Sequence, residues 1–163
     1  MSYTAIEAQL LALIKTVARF ADTVDVTSPV RATRGDYSLL DRGIDDVVVL
    51  EPGALTGPSP EWELSRPSPL QETQWIVVIN LFRRIKPDEV TSIQFATARD
   101  ELLSLVRQYP SLNGACGMSY FVSLEAMGDP EDVYDRAGGG PFYRMQSLRV
   151  TYSETVQVTG GEY

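Results

Sequence analysis

Apolar residues recur along the first twenty positions in a helical rhythm. Ile6, Leu10, Leu13, Ile14 and Val17 form one stripe at a 3.6-residue period. Thr4 followed by Glu7 fits a capping box, with Ser2 as the other candidate cap. The pattern predicts a helix from about Thr4 to Phe20. Lys15 and Arg19 would lie near its end, where the macrodipole favours cations. Ser28-Pro29 and Arg34-Gly35-Asp36 follow as turn signals. The Arg-Gly-Asp tripeptide is an adhesion motif elsewhere, but so short a match reads first as a turn.

The rhythm then changes to that of strands. Ile44–Leu50 is rich in β-branched residues and predicts one. Glu51 to Thr73 carries five prolines and reads as a long loop, because proline cannot donate to a ladder. Loops of that length in one small domain are uncommon and often functional. Trp62 and Leu64 in its middle are anchor candidates, either for a neighbour or for the loop's own domain. Gln74–Ile85 is the strongest strand signal. Trp75-Ile76-Val77-Val78-Ile79 is apolar on both faces and predicts a central strand covered on both sides.

Pro87-Asp88-Glu89 is a helix start, with acids where the dipole wants them. Ala98, Leu102, Leu105, Val106 and Tyr109 mark the buried stripe of this second helix. Pro110 and Asn113-Gly114 stop it. Gly117–Leu124 predicts a strand, with Tyr120, Val122 and Leu124 on one face. Met127–Pro141 reads as a second loop, acidic and then glycine-rich. Gln146–Val158 alternates. Leu148, Val150, Tyr152, Val156 and Val158 face one way, as in an antiparallel strand with one buried face. Glu154 interrupts that face, so a bulge or an exit from the core is expected near it. The sum is α+β: two helices packed on an antiparallel or mixed sheet of four to five strands, in a single domain spanning 1–163.

Composition narrows the chemistry. The chain has 163 residues, no histidine, one cysteine and a formal charge of −8. Without histidine there is no Ser-His or Cys-His pair and no imidazole base. Cys116 alone can neither build a zinc site nor close a disulfide within the chain. No apolar run is long enough for a transmembrane helix, and the N-terminus lacks the basic region of a signal peptide. A net acidic chain is not built to grip nucleic acid, which is bound through Lys and Arg. The closest basic cluster, Arg83-Arg84-Ile85-Lys86, reads as a solvated strand end or as half of a charge-paired interface.

The remaining motifs are weak. Asp45 and Asp46 are neighbours in a strand and point to opposite faces, so they are no carboxylate dyad. Asp129, Glu131, Asp132 and Asp135 crowd one loop, but their spacing is not that of an EF-hand, and a solvated acidic loop is the plainer reading. Gly138-Gly139-Gly140 lacks the Lys-Ser/Thr of a phosphate-binding loop, and no Gly-x-Ser-x-Gly elbow occurs. No catalytic residue, cofactor site or metal site is assigned. The positive signals are long loops and a long final strand, and exposed edges of that kind pair with other subunits or need protection.

In this order of elements the chain resembles the tail terminator proteins of long-tailed bacteriophages. Ile6–Ile14 is similar to that family's first helix. Phe95–Pro110, ending Leu-Val-x-x-Tyr-Pro, is similar to its second, and Gln146–Val158 to its last strand. The resemblance implies a non-enzymatic virion protein, assembled in the host cytoplasm as a hexameric ring at the head–tail junction. One face would end the tail tube and the other would join the head-completion or connector protein, while DNA passes without specific binding. Candidate partner contacts are Trp62, Leu64, Arg83, Arg84, Asp132 and Asp135. The surplus acids are expected to line the channel or its mouth. Other neck, minor tail or baseplate subunits are the nearest alternative. An acidic carboxylate- or metal-dependent enzyme and a monomeric binding module are the more distant ones.

Overall fold

A computed structural model describes residues 3–24, 29–53, 57–58, 70–109, 112, 119–134 and 141–157. The chain is α+β. Among the described residues two helices, α1 (Tyr3–Ile14) and α2 (Thr91–Gln108), pack on a mixed sheet of seven strands. These are β1 (Ala32–Arg34), β2 (Asp46–Pro52), β3 (Gly57–Pro58), β4 (Leu70–Arg84), β5 (Ser119–Ala126), β6 (Glu131–Tyr134) and β7 (Pro141–Gln157). The main path is β1-β2-β4-β7-β5; β3 adds to β4 and β6 adds to β7, so the sheet is mixed, as one of the expected forms, but has more strands than the four to five expected. Among the described residues only the β1–β2 pair is parallel.

β4 is central, as its apolar run predicts. Its alternation splits the sheet into two faces. Val77, Ile79 and Leu81 join Val48 and Leu50 of β2 and Leu148, Val150 and Tyr152 of β7 on the face covered by the helices. Ile6, Leu10, Leu13 and Ile14 of α1 pack there with Phe95, Ala98, Leu102, Leu105 and Val106 of α2. Each of the larger side chains, Val, Leu, Ile or Phe, contributes about 1.5–3 kcal/mol by leaving water. Phe82 faces the other way with Val47, Val49 and Tyr143, under Leu39 from a short 3₁₀ helix, Ser38–Arg42.

Several boundaries differ from the sequence pattern, each for a local reason. α1 ends at Ile14, not Phe20. Thr16, Val17 and Phe20 donate their N–H groups three residues back, to Leu13, Ile14 and Val17, so the chain leaves the α-helix through tighter turns. Arg19 therefore serves no helix end, and Glu7 is no cap: it is buried and accepts from Tyr3 and Arg34. α2 begins at Thr91 because Glu89 turns back to Arg83.

The stretch read as one loop, Glu51–Thr73, is partly strand. β2 runs to Pro52, Gly57–Pro58 pairs with Gln74 and Thr73, and β4 begins at Leu70. Gly53 is required where this edge hugs β4: a Cβ there would lie 2.2 Å from Ile76 Cγ2. The loop expected over Met127–Pro141 contains β6, whose Val133 packs into the smaller core. β7 starts at Pro141, earlier than Gln146. The irregularity expected near Glu154 falls on the facing strand, between Ser119 and Phe121 of β5.

Candidate functional site

Arg83 and Arg84 are neighbours at the end of β4, so they point to opposite faces, and their fates diverge. Arg83 is not a solvated strand end. It is 6% exposed on the helix side. Its Nη1 donates to Asp46 Oδ2 at 2.7 Å, and its Nη2 donates to Glu89 Oε1 at 2.7 Å and Oε2 at 2.9 Å. Arg19 reaches the same Asp46 Oδ2 at 3.3 Å and Glu101 Oε2 at 2.9 Å. This five-membered ion network ties the segment after α1, the start of β2, the end of β4, the turn before α2 and the body of α2 itself.

Asp46 is the strained member. Its Oδ1 is buried with no hydrogen-bond partner among the described residues. Burial raises its carboxyl above the ordinary aspartate range even though two guanidiniums pull it down. Arg83 stays above its usual value despite burial, through its bonds to Glu89 and the charge of Asp46. Arg83 is thus consumed inside the fold, so its role as a partner contact is not carried by a free guanidinium. Asp45, on the opposite face from Asp46, pairs with Lys86 at 2.5 Å.

Arg84 enters the other face, where its Nη1 donates to the Gly43 carbonyl at 3.1 Å. It lines a cleft of about 900 Å³ between the 3₁₀ helix and β6. Tyr37, Phe82, Phe142 and Tyr134 supply aromatic walls, and Ser38 and Asp41 add polar groups. The walls are fixed by edge-to-face packing: Tyr37–Phe82 at 6.2 Å, Phe82–Tyr143 at 6.3 Å and Phe142–Tyr143 at 4.8 Å between ring centroids. Tyr143 donates to the Ile44 carbonyl at 2.6 Å, and burial pushes its phenol up to about 12. Tyr37 accepts from Asn80 Nδ2 at 3.1 Å, and Asn80 Oδ1 accepts from Ser147 at 2.5 Å. Burial and the nearby Glu51 hold the Tyr37 phenol well above its usual range.

Asp132 lies on β6 opposite Arg144 and pairs with it at 3.7 Å. It is exposed, and so are Glu125, Asp129 and Glu131. The expected acidic loop is therefore an acidic sheet edge, with Arg144 and Arg149 as its counter-ions. Trp62, Leu64 and Asp135 lie outside the described residues, as do Cys116 and Gly138–Gly140. Among the described residues no three metal-binding side chains come together. The Arg-Gly-Asp tripeptide is a turn, as expected: Gly35 has φ +68°, buried Glu7 holds Arg34, and Asp36 accepts from the Ser38 N–H at 2.9 Å.

The sequence reading found Arg84 but missed the cleft. Tyr37, Phe82, Tyr134 and Phe142 come from four separate segments, and only Phe142-Tyr143, directly after a glycine-proline signal, hinted at an aromatic cluster. Among the described residues no helix is long and apolar enough to cross a membrane. No protein-family model and no curated protein matches this sequence.

Proposed function

We propose that the chain is a structural subunit of the neck of a long-tailed bacteriophage. Six copies form a ring that ends the tail tube on one face and joins the head-completion or connector protein on the other. The supporting observation is the β4–β7 ribbon. The two strands pair without a break from Leu70–Gln157 to Arg84–Tyr143, about 50 Å at ~3.3 Å per residue. β2 follows β4 only as far as Val77, and β5 follows β7 only to Glu154. Beyond Thr73 and Glu154, among the described strands, β4 and β7 continue as a two-stranded arm for three residue pairs, Leu70–Glu72 with Thr155–Gln157. A two-stranded ribbon is marginal alone in water. An arm that leaves its own core is stabilised by lying on a neighbour, and a head-to-tail contact of that kind closes rings.

Two further features support the reading. The opening helix, the second helix and the long closing strand on which the resemblance rests are all present. Four exposed acids, Glu125, Asp129, Glu131 and Asp132, gather along one edge and give a surface over which DNA slides without sticking. The test is electron microscopy of the purified chain, alone and mixed with tail tube subunits. Rings of six with a fixed diameter, capping tube ends, are expected. A chain that stays monomeric in both samples and leaves tube length unchanged overturns the reading.

A further inference from the structure

The cleft beside the 3₁₀ helix holds two opposite charges that do not meet. Arg84 and Asp41 both line it, and neither enters an ion pair among the described residues. Arg42, the next residue on that helix, acts instead on Asp36. The charges of the lining therefore cancel. A ligand of one sign is drawn by one group and repelled by the other, whereas a ligand that carries both signs meets both.

Arg84 is held in place. Its Nη1 donates to the Gly43 carbonyl at 3.1 Å, the one hydrogen bond it makes among the described residues. A Cβ on Gly43 would lie 3.4 Å from that Nη1 and 3.6 Å from Cζ, so the guanidinium rests against the glycine. Gly43 closes the 3₁₀ helix at φ 69°, two residues after Asp41, in a conformation that favours glycine. One turn of backbone thus carries the carboxylate and fixes the guanidinium. The N–H groups that Gly43 does not take are open to the oxygens of an anion.

Rings supply most of the remaining lining: Tyr37, Phe82, Tyr134 and Phe142. Tyr134 and Tyr37 are 64% and 39% exposed, so ring surface is open to a ligand. The face of an aromatic ring is its negative side, and rings grouped beside a carboxylate suit an alkylated ammonium. The volume of about 900 Å³ lies within the ~300–1,000 Å³ of small-molecule sites.

The geometry points to a site for a small zwitterion. Its alkylated ammonium sits among Tyr37, Tyr134 and Phe142 beside Asp41, and its phosphate or carboxylate sits on Arg84. Phosphocholine carries both ends. The inference does not rest on the ring reading, because every group named belongs to one chain.

The test is a nuclear magnetic resonance titration of the full chain with phosphocholine, and with choline and inorganic phosphate as its two halves. Phosphocholine shifts the signals of Tyr37, Tyr134 and Phe142 and binds at least ~10-fold more tightly than either half. Tyr134→Ala weakens phosphocholine at least ~10-fold, and Arg84→Gln brings it down to the level of choline. Both variants melt where the wild type does, which separates lost ligand from lost fold. Flotation with phosphatidylcholine vesicles tells the source. Co-flotation assigns the zwitterion to a lipid headgroup, and its absence beside binding of free phosphocholine assigns it to a soluble compound. No shift at the three rings, an affinity for phosphocholine equal to that for choline, or undiminished binding in either variant overturns the site.

Discussion

The two faces of the sheet alternate along the same strands, yet they are closed differently. On the helix side, Val77, Ile79 and Leu81 meet two full helices, and the core there is continuous from Ile6 to Tyr152. On the other side, among the described residues, Phe82, Val47 and Val49 lie buried with Leu39 of the 3₁₀ helix and Tyr143, Val133 of β6 packs beside them, and an aromatic cleft remains at the rim. The first face supplies most of the stability. The second keeps fixed aromatic surface at a rim, where it is available to a partner. Arg83 and Arg84 show the same division in two consecutive residues: one guanidinium is locked into the fold, and the other is set at the cleft.

Five substitutions test this division, from the largest effect to the smallest. Leu102→Ala, at a fully buried position of α2, should cost about 3 kcal/mol, read from urea unfolding. An effect near zero would mean the helix face is not the stabilising one. Arg83→Met should cost about 2 kcal/mol. That is less than the ~3–5 kcal/mol usual for breaking a buried pair, because Asp46 can take a proton once its partner is gone. Adding Asp46→Asn should recover most of that loss.

The pH dependence of this pair has a definite sign. A carboxyl whose folded value is raised binds its proton more tightly in the native state than in the unfolded one. Its contribution is therefore fully present below the ordinary aspartate range and is lost as pH rises through the raised folded value. The stability difference between wild type and Asp46→Asn should shift in favour of the wild type as pH falls through that window. A difference that is flat with pH, or shifts the other way, contradicts the strained placement of Asp46.

Tyr37→Phe removes the oxygen that accepts from buried Asn80 and should cost about 1 kcal/mol in a thermal melt. Tyr134→Ala is the sharpest contrast: at 64% exposed on the rim it should change stability by less than ~0.5 kcal/mol in the same thermal melt. A loss as large as that of Leu102→Ala would mean that the rim, too, carries the fold.

What the sequence made legible follows the range of the forces involved. The β4 run, the α2 stripe and the alternation of Leu148, Val150 and Tyr152 are periodic signals, and they survive in the fold almost unchanged. Local competition blurred the ends: the tight turns at Thr16 and Phe20 shortened α1, and the pairing of Glu89 with Arg83 delayed α2. The acid-rich Glu131–Tyr134 looked like loop because its composition is polar, and it became a strand because β7 extends far enough to pair with it. The burial of Arg83 was not legible, since Asp46 lies 37 residues away and Arg19 further still. The cleft was not legible for the same reason. Its walls are assembled by tertiary contact among segments that carry no motif.

The central claim is that the chain works as a ring, and imaging of the purified protein tests it most directly. Class averages with six subunits around an open channel, of one diameter in every preparation, are predicted. Monomeric particles, alone and in the presence of tail tube subunits, would contradict it.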